Sequence, residues 1–210
     1  MVNKIINLYE KLCSYKSVNS DIFSGFNVNI ALIDSGVDGF HPYLFDNIDK
    51  KKAFSFINNS NPLMDYLGHG TEVAGVLKQI SPWATITPYK IVDTGNASSI
   101  NVIKAIRKAV DNGADIINLS LGTYKNLEKR EDLEIVRIYK EAVLYAFNNN
   151  VVIVSSLGNR NLNLDYQLTN KNIVHLPSYF ESVISVGSLN KINKLSSFTN
   201  YHEFKLFLLA

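Results

Sequence analysis

A single cysteine, Cys13, occurs in 210 residues, which excludes an internal disulfide and argues against a Cys/His metal cluster. Proline is scarce, at five residues, and no Gly/Ser-rich linker, repeat or low-complexity tract divides the chain. Its length therefore fits one domain with at most an appendage. Neither sign of charge dominates. The 21 basic and 19 acidic residues give a net charge of +2 with no basic stripe, which excludes nucleic acid as an expected partner. No run approaches the roughly 20 apolar residues needed to span a bilayer, so no membrane contact is expected. The opening MVNKIINLYEKLCSYKS also lacks the uninterrupted apolar stretch of a secretory signal, and as written the chain reads as cytoplasmic.

What the chain does have is a 46% apolar content, enough for a sizeable core. Ile5, Leu8, Tyr9 and Leu12 fit one face of an amphipathic helix, so residues 1–24 read as a helical N-terminal segment and 25–210 as the main domain. Within that domain, short apolar runs alternate with longer periodic segments. Strands are expected at Val28–Asp34, Ala53–Ile57, Thr85–Ile91, Ala114–Leu119, Val151–Ser155, Val183–Gly187 and Phe204–Leu209. Helices are expected at Thr71–Gln79, from Ser98 or Ser99 as N-cap to about Asn112, and at Leu127–Asn148. Strands separated by helices predict an α/β domain: a doubly wound, mostly parallel sheet with helices on both faces. Strands covered on both faces should be nearly all apolar, and four of these are.

In such a sheet ligands bind beyond the carboxyl ends of the strands. Asp34, the run Asn118–Gly122 and the turn Ser156–Asn159 end three of them, and His69 lies in a Gly-His-Gly turn that opens a helix. A carboxylate, an imidazole and a Gly-Asn turn together suggest acyl transfer: the carboxylate orients the imidazole, the imidazole acts as base, and an amide steadies an oxyanion. His41-Pro42 and His175-Leu176-Pro177 read as turns before proline without a metal role.

Several stretches, in order, resemble the subtilisin-like serine peptidases. ALIDSGVDGFHPYL (31–44) resembles their aspartate motif and GHGTEVAGVL (68–77) their histidine motif. INLSLG (117–122) resembles the strand lining their substrate cleft, and VVIVSSLGN (151–159) the segment ending in their oxyanion asparagine. PSYFESVISVGSLN (177–190) and LSSFTNY (195–201) resemble the stretches that follow. The resemblance implies the subtilisin-like fold, with Asp34 as triad carboxylate, His69 as general base and Asn159 as oxyanion donor. It implies that Ser120, Leu121 and Gly122 form one wall of the cleft, and that Thr94, Gly95, Asn96 and Ala97 form a facing strand, so that an extended peptide pairs with both. The substrate it implies is a peptide or protein. No cofactor is expected. Calcium is common in such relatives, but no compact oxygen-ligand loop is recognisable here.

Two departures stand out. Glu72 occupies a position where many relatives carry a second histidine. The family's triad order is Asp, His, Ser, with the serine in a Gly-Thr-Ser-x-Ala string. No Gly-Thr-Ser string and no Gly-x-Ser-x-Gly elbow occurs in the 210 residues. The expectation is therefore an endopeptidase domain truncated before its serine and inactive alone, to which a complementing C-terminal fragment would restore the nucleophile. The alternative is a non-catalytic pseudopeptidase that binds an extended peptide or a partner protein. Relatives are largely secreted behind a signal and prosegment. A nucleotide-binding α/β domain is disfavoured, because no Gly-x-Gly-x-x-Gly or P-loop follows any strand.

Overall fold

The computed structural model describes residues 24–203 and 208–209. The amphipathic helix expected over 1–24 falls, apart from Ser24, outside the described residues. From Ser24 onward the chain runs β1 (Asn29–Asp34), β2 (Phe54–Ser55), α1 (His69–Ile80), β3 (Thr85–Lys90), α2 (Ser99–Asp111), β4 (Ile116–Leu119), β5 (Thr123–Asn126), α3 (Arg130–Asn148), β6 (Val152–Ser156), α4 (Leu164–Lys171), β7 (Ile173–Leu176), β8 (Val183–Gly187) and β9 (Leu208–Leu209).

The main sheet has seven strands in the order β2-β3-β1-β4-β6-β8-β9, and every pairing in it is parallel. β1 is central and buried on both faces, which is why its sequence is an unbroken apolar run until Asp34. Alternation along β1 sends successive side chains to opposite layers. Ala31 and Ile33 join a large cluster with α2 (Val102, Ile106, Ala109) and α3 (Val136, Tyr139, Val143). Leu32 joins a smaller cluster with Ala74 of α1, Val37, Leu44, Ile48 and Ile86. This is the doubly wound α/β arrangement expected, with helices on both faces. After β1 the chain builds β3 on one side and then crosses to build β4 on the other. The strand order thus reverses beside β1, and a crevice opens at its carboxyl end.

Ser98 holds the N-cap position of α2, one of the two residues expected there, without a side-chain capping bond. Three expectations need correction. The long helix begins at Arg130, not Leu127, because residues 123–126 pair antiparallel with β7 and the Leu127 amide donates to the Asn172 carbonyl. His175 is not a turn residue: it is buried in β7, paired across from Tyr124. Residues 94–97 form no strand: the chain bends through 93–95, where Gly95 turns the backbone left-handed at φ 71°. Of the strand expected over 204–209, Leu208–Leu209 pairs with β8, and residues 204–207 lie outside the described residues. Among the described residues, no helix is long and apolar enough to cross a membrane.

The approach of α1 to β1 depends on a missing side chain. A Cβ on Gly70 would sit 2.0 Å from the Gly36 carbonyl oxygen and 3.2 Å from the Asp34 Cβ. In an unobstructed helix, Gly→Ala gains about 1 kcal/mol. Here the obstruction is backbone, which cannot rotate away, so Gly70→Ala should lose roughly 2 kcal/mol or more. Urea denaturation of the variant should show a lowered midpoint, and an unchanged or raised one would refute the contact.

Candidate active site

Asp34 ends β1 and is almost wholly buried. The chain turns sharply after it. The Ser35 amide donates to Asp34 Oδ1 at 2.7 Å, and Gly36 follows at φ 100° with the Pro62 and Met64 carbonyls crowding the place of its missing Cβ. Across the crevice, α1 starts at His69, after Gly68 in a left-handed conformation that supplies no side-chain cap. His69 Nδ1 lies 2.7 Å from Asp34 Oδ1. An ionised carboxylate can only accept, so Nδ1 carries a proton, and in the neutral ring the lone pair is then on Nε2. The His69 side chain is 51% exposed against 4% for Asp34: the imidazole meets solvent while its partner does not.

The cap that Gly68 lacks comes from Asp65, a residue that sequence reasoning passed over. Its carboxylate accepts from the Leu67 and Gly68 amides, from the Thr71 amide and hydroxyl, and from the Ser35 hydroxyl. Ser35 in turn accepts from the Gly70 amide at 3.0 Å. Asp65 therefore joins the end of β1 to the start of α1, the two elements that carry Asp34 and His69. Burial raises its pKa, but the hydrogen bonds from Thr71, Ser35 and Gly68 outweigh this and hold it below the ordinary carboxylate value. The clue in the sequence was an Asp within one turn of a helix start. Lys90, fully buried at the end of β3, anchors the same loop by donating to the Met64 carbonyl at 2.6 Å and pairing with Asp93.

Asp34 and His69 open onto a cleft of about 790 Å³ at the strand-order reversal. Gly95, Asn96 and Ala97 line it on one side and Ser120, Leu121 and Gly122 on another; Thr94 is not part of the lining. Asn159 also lines it, exposed in a bend after β6, and none of the described hydrogen bonds engages its side chain. The structure thus gathers Asp34, His69, Asn159 and both expected walls around one space, with Thr94 left outside.

The bend that carries Asn159 is fixed by Asn200, another residue that sequence reasoning did not single out, although it lies within the 195–201 motif. Fully buried, Asn200 donates from Nδ2 to the Leu157 carbonyl and the Tyr124 hydroxyl, and accepts at Oδ1 from the Arg160 and Leu162 amides. Gly158 sits at φ 93°, and a Cβ there would lie 2.7 Å from Asn200 Nδ2 and 2.9 Å from His175 Nε2. His175 forms part of the cleft lining, with Nδ1 held by Ser178 Oγ at 2.9 Å. Burial first, then the positive charge of Arg160 and the His202 nearby, push its pKa down to about 4. For calcium, the described residues place no three His, Cys, Asp or Glu side chains so as to hold a metal ion, and no step below runs through one.

A parallel α/β sheet with a carboxylate-imidazole pair at its strand-order reversal, facing a peptide-sized cleft, defines the hydrolase class in which Asp and His serve a nucleophile. The chain belongs to the subtilase family, whose model matches residues 25–205. It is 30% identical to the nisin leader peptide-processing serine protease NisP of Lactococcus lactis subsp. lactis, over 82% of this chain and 31% of that protein. It is 32% identical to a thermophilic serine proteinase of Bacillus sp. (strain AK1), over 82% of this chain and 41% of that one. Among solved structures, a lanthipeptide protease superposes with a TM-score of 0.82 at 39% identity, covering 85% of this chain and 53% of the other. The nisin leader peptidase NisP superposes at 0.76 and 28% identity, covering 87% and 62%. The chain thus spans less than half the length of these two curated relatives.

Two measurements check the geometry. Asp65→Asn leaves one accepting oxygen where two served five donors, and should cost roughly 2 kcal/mol of stability at neutral pH. Because the pKa of Asp65 is lowered by folding, its contribution is present above the ordinary carboxylate value and fades as pH falls through the folded one. Wild type and variant should therefore converge in acid, and a pH-independent gap would contradict the assignment. His175 has the opposite charge logic. Between about pH 4 and 6.5 the unfolded chain binds a proton that the folded imidazole resists, so its effect is to make stability rise with pH across that window. The NMR shift of its ring should stay flat from pH 7 until close to 4, and a midpoint near 6.5 would show it to be solvated.

Proposed function

We propose that the chain provides the base, the orienting carboxylate, the oxyanion donor and the substrate cleft of a serine endopeptidase that processes peptide precursors. The observation that carries this reading is the 2.7 Å contact between His69 Nδ1 and Asp34 Oδ1 at the edge of the cleft. His69 Nε2 takes the proton of the attacking hydroxyl and later passes it to the leaving amine. Asp34 holds the ring in that tautomer and steadies the imidazolium. Asn159 donates its side-chain amide to the oxyanion. The walls at 95–97 and 120–122 hold the substrate extended between them. The attacking serine belongs to sequence outside these 210 residues, which contain no Gly-Thr-Ser string. A precursor peptide as substrate is supported by the relatives whose names describe leader-peptide processing.

Reading the coding DNA past codon 210 in all forward frames tests the serine, and expressing the full reading frame tests the rest. A Gly-Thr-Ser-x-Ala string and cleavage of extended peptides are expected. In subtilisins, loss of the histidine costs on the order of 10⁶-fold in turnover, and loss of the oxyanion asparagine about 100- to 1,000-fold. His69→Ala and Asn159→Ala should fall in that order. Peptide binding without labelling by a fluorophosphonate would make the protein a non-catalytic peptide binder and overturn the catalytic reading.

A further inference from the structure

The cleft that holds Asp34 and His69 is uneven in charge. Asp34 is the one carboxylate among the described residues lining it, and that carboxylate is already committed to His69. At the end bounded by Gly122 and Gly158, the polar groups are Arg160, Tyr124 and His175. The Arg160 guanidinium rests 4.5 Å above the Tyr124 ring, and none of the described salt bridges includes it. Stacking holds the planar cation in place and leaves its edge N–H groups to meet a ligand.

The Tyr124 hydroxyl accepts from Asn200 Nδ2 at 2.6 Å, so its own hydrogen is left to donate elsewhere. His175 stands 4.8 Å from the Tyr124 ring, centroid to centroid. Its Nε2 reaches the space beside Gly122 and Gly158, where a Cβ on either glycine would come within 2.4 Å and 2.9 Å of it. Neither glycine could carry a side chain there, and their bare backbone packs directly against the buried imidazole. Ser178 Oγ donates to the His175 carbonyl, so it accepts from His175 Nδ1 and leaves Nε2 without a proton. The donors at this end are therefore Arg160, which follows Asn159 in the chain, and the Tyr124 hydroxyl, with one fixed positive charge and no anion beside them.

From this geometry we propose that the end of the cleft formed by Arg160, Tyr124 and His175 receives an acidic side chain of the substrate, selecting peptides with Glu or Asp at the residue that precedes the cleaved bond. The proposal rests on the peptide-cleft reading above, since the neighbouring Ser120–Gly122 wall is what places that residue. Arg160 supplies the charge. The Tyr124 hydroxyl supplies a hydrogen bond beside it, while a substrate Lys or Arg would meet Arg160 with no carboxylate to offset it.

Binding to the 210-residue chain separates this proposal from the reading beneath it, because binding needs no nucleophile. Capped fluorescent peptides acetyl-Ala-Ala-Ala-X-Ser-Ala-amide, with X as Glu, Asp, Gln, Leu or Lys, are titrated by anisotropy at low and high salt. An acidic X should bind about tenfold or more tighter than Lys, with Gln between, and salt should narrow the gap because Arg160 is exposed. Arg160→Gln, a surface change, should bring the Glu and Gln peptides within about twofold of each other. Equal binding of all five peptides, or a preference unchanged in Arg160→Gln, would overturn the acidic-pocket proposal and leave the peptide cleft standing. Binding of no peptide at all would sink both.

Discussion

The Asp65 carboxylate, set into the start of α1, is the constraint on which the cleft depends. A helix start presents amides without partners and a partial positive charge, and Asp65 answers both while also gripping Ser35 at the end of β1. The distance between Asp34 and His69 is therefore not left to two side chains meeting across a gap. It is set by the backbone on either side, brought together through one half-buried acceptor and allowed to close by the bare Cα of Gly70.

A second clamp works the same way further round. Asn200 holds the bend after β6 through both ends of its amide, so Asn159 is presented by a segment that is ordered from beneath. The Asp34–His69 pair and Asn159 thus share a design. Each exposed group stands beside a partly or fully buried polar residue whose hydrogen bonds go mostly to backbone. Such residues cost desolvation, and that cost is met only where nearly every lone pair is used.

The doubly wound sheet is legible in the sequence because its strands are buried on both faces and so read as apolar runs such as IALI, and Asp34 and His69 stand out because polar residues end those runs. What escapes is non-local. Residues 123–126, TYKN, carry no apolar alternation, and they become a strand only because β7, some fifty residues later, lies alongside. His175 looks like a turn residue before a proline until that pairing buries it. The facing strand expected at 94–97 fails on a single local fact, the left-handed backbone at Gly95. Asp65 and Asn200 are hidden for another reason: their worth lies in which backbone groups surround them, and spacing along a chain does not encode that.

Asn200 carries one more implication, about time rather than geometry. The groups that line the cleft are gathered from residue 34 to residue 175, and the bend that carries Asn159 is locked only by Asn200. Contacts so far apart form late, after the loops between them have closed. The contact between Asp34 and His69 closes a loop of 35 residues, whereas the bend that carries Asn159 has no lock until Asn200 has been synthesised and docked. Assembly of the cleft is thereby tied to near-completion of the described fold.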